Sequence, residues 1–314
     1  MGRQRKRKGD PVHGWLAVDK PKDITSTRVV SILKRLYTAQ KTGHGGTLDP
    51  LADGILPIAF GEATKTAQWA MDCDKEYIFT IEWGVSTSSQ DKEGEVTARS
   101  DVRPVRADIE AALLAFIGDI QQVPPKFSAI KIAGERAYDL ARDGEEFEIP
   151  SRQVTVYEAE LIDIPDTDHA VIKVVSGKGF YVRAMARDLA IALSAEGHVS
   201  QLRRTRVGPM DEAASITLAA LEALTDDKEA LLAALSPLET VLDDIPAIEI
   251  DAGDMANIKQ GREIVLLPYQ VEAWRNDKSD DPDDRLTLTM CDGQAVALGE
   301  VRAGRFRPSK VFQL

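Results

Sequence analysis

The sequence predicts an α+β protein with a large first domain and a small second one. Strand and helix signals alternate along most of the chain, which is compatible with a mixed, mainly antiparallel sheet flanked by helices. Beyond Ile245, short strands recur between glycine and aspartate turns, as in a small β barrel. At 314 residues the chain is also longer than one average domain, which favours two.

The helices are predicted from apolar spacing and capping residues, and the strands from runs of β-branched and aromatic residues. The predicted helices span residues 25–36, with Ser26 or Thr27 as the cap, 63–71, 107–117 and 183–193. The predicted strands span residues 77–83, 153–164 and 170–175, and in the second domain 263–267, 285–289 and 295–301. Residues 211–241 are rich in alanine, leucine and acids and are predicted to form a helical connector.

The net charge of −12 does not exclude a nucleic-acid partner, because the acidity is confined to one segment. Residues 211–254 contain 12 acidic residues and one basic residue, Lys228, and so carry −11 of that total. The basic residues at positions 3–8 could contact phosphates or form a solvated, disordered terminus, and both interpretations stay open.

Several classes of protein and site are disfavoured. No apolar run approaches the roughly 20 residues that span a membrane, and residues 1–10 lack the apolar core of a secretory signal. Cys73 and Cys291 form no CxxC pair, so we expect a cytoplasmic location without a disulfide framework or a structural zinc site. The four histidines have no HxxxH or HxH spacing, so we expect no metal.

The most informative segment is residues 43–57, GHGGTLDPLADGILP, in which three glycines and His44 lead to Asp49. Glycines permit unusual backbone conformations and close approach of a ligand, so a carboxylate on such a turn can be aimed at a substrate. The alternative is that Asp49-Pro50 only starts a turn. The segment matches neither a phosphate-binding loop nor a dinucleotide fingerprint, and the chain has no GxSxG elbow. What remains is a carboxylate that acts without metal or cofactor.

Three further clusters combine basic residues with glycines or aromatic residues. They are residues 124–131 (PPKFSAIK), 177–183 (GKGFYVR) and 202–206 (LRRTR). Glycines with a lysine can approach a phosphate backbone, and arginine suits phosphates and flat bases. An aromatic residue between cations is typical of surfaces for single-stranded nucleic acid. Each cluster alone could be solvated charge beside a core aromatic, but together they favour RNA.

These segments, in this order, resemble the TruB family of bacterial tRNA pseudouridine-55 synthases. Residues 43–57 resemble the catalytic motif of that family, with Asp49 at the catalytic aspartate. The other matching segments are residues 18–21 (VDKP), 61–65 (GEATK), 74–77 (DKEY), 127–131 (FSAIK), 179–183 (GFYVR) and 202–204 (LRR). The similarity runs from about Trp15 to Pro209. It resumes near the C-terminus, where residues 258–262 and 299–301 resemble a PUA-like RNA-binding domain.

The resemblance implies a sheet of pseudouridine-synthase type, with a cleft across it, in a catalytic domain at residues 11–244. A PUA-like β domain would follow at residues 245–314, and residues 1–10 would be a disordered basic tail. The implied reaction flips uridine 55 out of the tRNA T loop, detaches its uracil and rejoins it through carbon 5, without a cofactor. We expect tRNA as the partner, no membrane association, and a monomer that needs no other protein.

The resemblance also implies roles for individual residues. Asp49 would act as nucleophile or as base on the sugar, and Arg183 would orient it and favour its ionised form. Tyr77 would stack on the flipped uracil and help to remove the proton from carbon 5. His44 would stack with nucleotides around the displaced base. The further candidates are Tyr181 and Leu202 for lining the pocket, and Lys20, Lys131, Arg203 and Arg204 for holding RNA.

Three other functions stay open. A non-catalytic RNA-binding or tRNA-folding protein would use the same basic clusters but would not require Asp49, Tyr77 and Arg183 together. A guide-RNA-dependent synthase of the dyskerin type would share the catalytic motif and need partner proteins. A uracil- or nucleoside-processing hydrolase would release the free base.

Overall fold

The computed structural model describes residues 9–128, 130–132, 135–137, 147–277 and 285–314. The basic residues at positions 3–8 and the side chain of Lys131, both singled out in the sequence, lie outside this description. Two sheets dominate the described chain, one of ten strands and one of five.

The strands alternate with short helices along the chain. In chain order the described strands are β1 (Gly14–Lys20), β2 (Thr42–His44), β3 (Asp53–Phe60), β4 (Lys75–Trp83), β5 (Val85–Thr87), β6 (Val96–Arg99), β7 (Gly118–Gln122), β8 (Lys131–Ile132), β9 (Glu135–Arg136), β10 (Arg152–Asp166), β11 (His169–Ser176), β12 (Gly197–Val207), β13 (Met210–Asp211), β14 (Ile216–Thr217), β15 (Ala247–Glu249), β16 (Ile264–Val265), β17 (Leu286–Cys291), β18 (Gln294–Arg302) and β19 (Arg305–Val311). The described α-helices are α1 (Ser26–Leu36), α2 (Ala67–Asp72), α3 (Arg106–Leu113), α4 (Val182–Ala192), α5 (Leu218–Ala223), α6 (Lys228–Ala233), α7 (Ala252–Lys259) and α8 (Pro268–Asp277). Single 3₁₀ turns occupy Gly61–Lys65, Leu114–Phe116 and Leu238–Val241.

The larger sheet is mixed and mainly antiparallel, as predicted. Its strand order is β14-β1-β3-β12-β4-β11-β10-β7, with β2 paired to β3 and β13 to β12. The pairs β1 with β14 and β3 with β12 are parallel, and the other described pairs of this sheet are antiparallel. The predicted α+β class is therefore confirmed.

Period-two alternation in β4 explains where the main core lies. Tyr77, Phe79 and Ile81 are buried, whereas Ile78 and Thr80 between them are only half-buried on the opposite face. The buried face packs against α1 and α4, which contribute Val29, Leu33, Met185 and Leu189 to the same apolar cluster. This packing brings the first turn of α4, which carries Arg183, to the Tyr77 side of the sheet.

The C-terminal strands form the five-stranded sheet, in the order β15-β17-β18-β19-β16. Its own apolar cluster includes Ile258 of α7 and Trp274 of α8, two helices that the sequence analysis does not predict. A further cluster joins Trp15 of β1 to Leu298 and Phe312 at the C-terminal end. The two sheets thus share a core across the predicted boundary at residue 244, and the exact division into domains stays a prediction.

Three central strands, β1, β3 and β12, were not recognised in the sequence. β3 contains Gly54 and Pro57, which normally argue against a strand. Pro57 has no N–H to donate, but its carbonyl still takes part in the backbone pairing and accepts a hydrogen bond from the N–H of Gly45 at 2.8 Å. β12 carries the three arginines that the sequence analysis treats as a basic cluster.

Two local predictions need correction. Thr25, rather than Ser26 or Thr27, caps α1: its hydroxyl accepts a hydrogen bond from the N–H of Arg28 at 3.1 Å. The segment 211–241 is not one helical connector, because strands β13 and β14 and the separate helices α5 and α6 divide it. Thr217 and Asp227 cap the two helices individually.

Candidate active site

Asp49 lies on the turn that connects β2 to β3, and close packing fixes the glycines around it. A Cβ on Gly45 would lie 2.6 Å from the Cβ of Ala70. Gly54 has a φ of +101°, and a Cβ there would lie 2.2 Å from the carbonyl oxygen of Arg204. The glycines thus let this turn lie directly against α2 and β12, which fixes the position of Asp49.

The closest charged partner of Asp49 is Arg183, at the start of α4. Arg183 Nη2 lies 2.8 Å from Asp49 Oδ2. The Arg183 side chain is only 6% exposed, whereas that of Asp49 is 34% exposed. A buried arginine therefore orients a carboxylate that solvent or a ligand can still reach. The structure brings together the two residues that the resemblance pairs, and their catalytic roles stay predictions.

Arg183 also binds a second carboxylate, Asp91, which the sequence analysis misses. Arg183 Nη1 lies 3.3 Å from Asp91 Oδ2 and donates to the Ser89 carbonyl at 3.1 Å. Asp91 is buried and accepts further hydrogen bonds from the Ser89 hydroxyl and from the N–H of Glu93. Its only sequence signal is its position in a polar turn, because the contact with α4 is made through the tertiary fold.

A cavity of about 330 Å³ opens beside Asp49. Five other predicted site residues line it together with Asp49: Tyr77, Tyr181, Arg183, Leu202 and Arg204. Burial raises the pKa of the Tyr77 hydroxyl and the negative charge of Asp49 adds to this, while the charge and a hydrogen bond of Arg204 act in the opposite direction. Tyr77 is thus a neutral phenol at neutral pH. An aromatic ring, a phenol and a carboxylate on one wall suit a flat, polar ligand.

Arg204 joins the turn that carries Asp49 to the sheet. It is 2% exposed, and its guanidinium donates to the carbonyls of Gly46 and Thr47 at 3.2 Å and of Ile55 at 2.7 Å. Arg203 points to the other face and forms ion pairs with Asp19, Asp53 and Glu212 at 2.6–3.2 Å. In this structure both arginines are engaged within the protein, so neither presents a free guanidinium for RNA.

Lys20 is fully buried at the end of β1. Its ammonium donates to the carbonyls of Pro21 at 2.9 Å, Ile24 at 3.0 Å and Pro50 at 3.4 Å. Burial lowers its pKa to about 8, against the opposing effect of Asp53 and Asp49. Because Pro50 directly follows Asp49, Lys20 supports the turn that carries Asp49 from within the protein. Its side chain has no exposed surface through which it could make the predicted contact with substrate.

His44 lies on β2, opposite Ile58 of β3, and is not among the residues that line the cavity. Its Nδ1 atom is buried without a hydrogen-bond partner among the described residues. Burial and the nearby charge of Arg204 both lower its pKa, which favours the neutral imidazole. The predicted stacking of His44 with nucleotides stays a prediction.

A second, larger cavity of about 780 Å³ is also lined by Asp49. Glu93, Glu95 and Phe127 are among the residues that line it. Four residues line both cavities: Thr47, Asp49, Ser128 and Arg183. Asp49 and Arg183 therefore lie where the two cavities adjoin.

Neither a metal centre nor a membrane-spanning helix is found in the described parts of the chain. Among these residues, no group of three or more histidine, cysteine, aspartate or glutamate side chains could hold a metal ion. No helix within the same residues is long and apolar enough to cross a membrane.

Comparison with known proteins gives matches over nearly the whole chain. A family model described as "TruB family pseudouridylate synthase (N terminal domain)" matches residues 34–182, and one described as "tRNA pseudouridylate synthase B C-terminal domain" matches residues 183–243. The chain is 56% identical over 310 residues to tRNA pseudouridine synthase B of Caulobacter vibrioides, covering 99% of each protein. It is 47% identical over 317 residues to the protein of that name in Bradyrhizobium diazoefficiens, covering 100% of this chain and 89% of the relative.

The fold also resembles a solved structure at lower sequence identity. The crystal structure of the archaeal box H/ACA sRNP Nop10–Cbf5 complex contains a chain that is 23% identical, with a TM-score of 0.71. The alignment covers 99% of this chain and 93% of that chain. This similarity supports the fold.

Proposed function

Because the chain belongs to the TruB family of pseudouridylate synthases, we propose that it isomerises uridine to pseudouridine in tRNA, at position 55 of the T loop. The relatives named above supply the tRNA substrate class. The observation that carries the proposal is the Asp49–Arg183 ion pair at the cavity lined by Tyr77. Pure RNA binding would not require this arrangement.

The reaction needs a flipped nucleotide, because the glycosidic bond of a stacked uridine is out of reach of a side chain. The uracil enters the smaller cavity and stacks on Tyr77, and the ribose lies at Asp49. Asp49 then acts on the sugar, either as nucleophile at carbon 1′ or as base. The bond from carbon 1′ to N1 breaks, the uracil rotates, and a bond from carbon 1′ to carbon 5 forms.

The isomerisation is balanced without a co-reactant. Carbon 5 loses its proton and N1 gains one, so the product has the composition of the substrate and no electrons are transferred. Tyr77 lines the cavity with its hydroxyl beside Arg204, whose positive charge favours the phenolate. In that ionised form Tyr77 is the proposed group that assists removal of the proton from carbon 5. We propose that no metal or cofactor takes part and that the protein acts as a cytoplasmic monomer.

The test uses the purified chain and an unmodified tRNA transcript, without guide RNA or partner proteins. We expect pseudouridine at position 55 alone, detected by carbodiimide labelling and primer extension. Asp49→Asn should abolish conversion while tRNA binding persists. Asp108→Asn, an exposed change on α3, is the matched control and should leave conversion intact.

Each alternative function predicts a different result in this assay. A tRNA-folding protein would bind the transcript without converting it, and a guide-RNA-dependent synthase would be inactive until partners were added. A hydrolase would release free uracil. Conversion that persists in Asp49→Asn would remove Asp49 from the reaction.

A further inference from the structure

The hydroxyl of Ser128 has a buried position without a partner. Ser128 is 5% exposed, and its Oγ has no hydrogen-bond partner among the described residues. A buried hydroxyl of this kind costs free energy, because it has lost its hydrogen bonds to water and gained none from the protein. Most buried polar groups in native proteins are paired, so such an exception calls for an explanation.

The position of Ser128 gives that explanation. It is one of the residues that line both cavities beside Asp49. Arg183 Nη2, which binds the Asp49 carboxylate at 2.8 Å, also donates to the carbonyl of Phe127 at 3.0 Å. The same nitrogen atom therefore contacts both Asp49 and the backbone of the residue before Ser128, so Ser128 is held close to Asp49.

We propose that Ser128 binds the sugar–phosphate backbone of the target nucleotide through its hydroxyl. This inference rests on the function proposed above, because Asp49 can act on the sugar only if the ribose lies at the wall that Ser128 shares. The groups that a ribose and its flanking phosphates offer there are hydroxyls and anionic oxygens. A serine hydroxyl can donate to either of them and can also accept from a ribose hydroxyl.

The proposal predicts opposite effects of one substitution on stability and on substrate affinity. Ser128→Ala removes an unpaired polar atom from the free protein, so its melting temperature should be unchanged or higher. In the complex the same change removes a hydrogen bond, so KM and the Kd for a T stem-loop RNA should rise by roughly 3- to 10-fold. A merely structural serine would not combine these effects.

Ser176 offers a matched control within the same chain. It is fully buried on β11, its hydroxyl also lacks a partner among the described residues, and it lines neither cavity. Ser176→Ala should therefore leave KM and Kd as they are in the unaltered protein. Equal changes in the two variants, or an unchanged affinity in Ser128→Ala, would overturn the proposal.

The partner group on the RNA can be identified with a modified substrate. With 2′-deoxyuridine at the target position, the affinity difference between the unaltered protein and Ser128→Ala should vanish if the partner is the 2′-hydroxyl. It should persist if the partner is a phosphate oxygen. Failure of the proposed function would look different, because the unaltered protein would then bind the RNA without forming pseudouridine.

Discussion

The guanidinium of Arg183 lies 2.8 Å from Asp49 and 3.3 Å from Asp91, so one buried cation is shared by an accessible and a buried carboxylate. Burying a cation is costly unless it is paired and hydrogen-bonded. Asp91 and the carbonyls of Ser89 and Phe127 provide this compensation independently of Asp49. The arginine can therefore orient Asp49 without depending on Asp49 for its own stabilisation.

Arg183→Lys should distinguish the effect of a positive charge beside Asp49 from the effect of a guanidinium that orients Asp49. Lysine retains the positive charge but cannot reach both carboxylates and both carbonyls with one planar group. We expect kcat to fall by on the order of 100-fold, because Asp49 loses its orientation, while tRNA binding changes little. Single-turnover kinetics and filter binding measure the two quantities. A kcat within a few-fold of the unaltered protein would show that the positive charge alone is sufficient.

Arg204→Lys tests how far Arg204 supports the turn that carries Asp49. Three different nitrogens of Arg204 bind the carbonyls of Gly46, Thr47 and Ile55, and a single ammonium cannot take up all three positions. The substitution also alters the surroundings of the Tyr77 hydroxyl. We expect the free energy of unfolding to fall by about 3 kcal/mol and kcat to fall further than the folded fraction explains. Chemical denaturation and turnover at a temperature where the variant is folded provide the comparison.

Arg302→Lys is the control for Arg204→Lys, because Arg302 is exposed on β18. It should change neither quantity. If Arg204→Lys loses stability but keeps its full kcat when folded, Arg204 supports the fold without positioning the site.

The basic residues show where prediction from the sequence stops. Lys20, Arg203 and Arg204 are candidates for holding RNA in the sequence, yet the fold uses them to bind carbonyls and carboxylates of the protein. A cation on a surface and one buried beside three carbonyls have the same sequence signature. The distinction depends on β1 and β12, two strands that the sequence analysis does not recognise.

The site itself was predictable only as a set of motifs. The glycine-rich turn points to Asp49, family resemblance adds Tyr77 and Arg183, and the structure places all three on one cavity. Asp91 was missed because its role depends on contact with α4, which no local pattern reports. By contrast, α1, α4 and β4 follow from apolar periodicity, since their buried faces form the core.

Lys20→Met should change how stability depends on pH. The pKa of Lys20 is lowered from 10.5 to about 8 in the folded protein, so between these values the unfolded chain binds more protons at this residue. The contribution of Lys20 to the free energy of unfolding therefore rises with pH across this window. The difference in free energy of unfolding between the unaltered protein and Lys20→Met should increase from pH 8 to pH 10, as denaturation at several pH values would show.

Other groups that titrate between pH 8 and pH 10 contribute equally to both proteins, so their effect cancels in the difference in free energy of unfolding. Lys75, whose pKa is also lowered to about 8 by burial, is present in both. A difference that is constant or decreases with pH would mean that the Lys20 ammonium is not destabilised by burial.

Tyr77→Phe should retain the aromatic surface for the flipped uracil and remove only the hydroxyl. If that hydroxyl assists proton removal from carbon 5, kcat should fall by about 100-fold or more while the Kd for tRNA stays close to that of the unaltered protein. Tyr77→Leu, which also removes the aromatic ring, should in addition weaken binding of the flipped base. Release of tritium from carbon 5 of labelled uridine in tRNA, measured under single-turnover conditions, reports the chemical step. If tritium release were unchanged in Tyr77→Phe and reduced only in Tyr77→Leu, the role of Tyr77 would be stacking alone. Another group would then remove the proton from carbon 5.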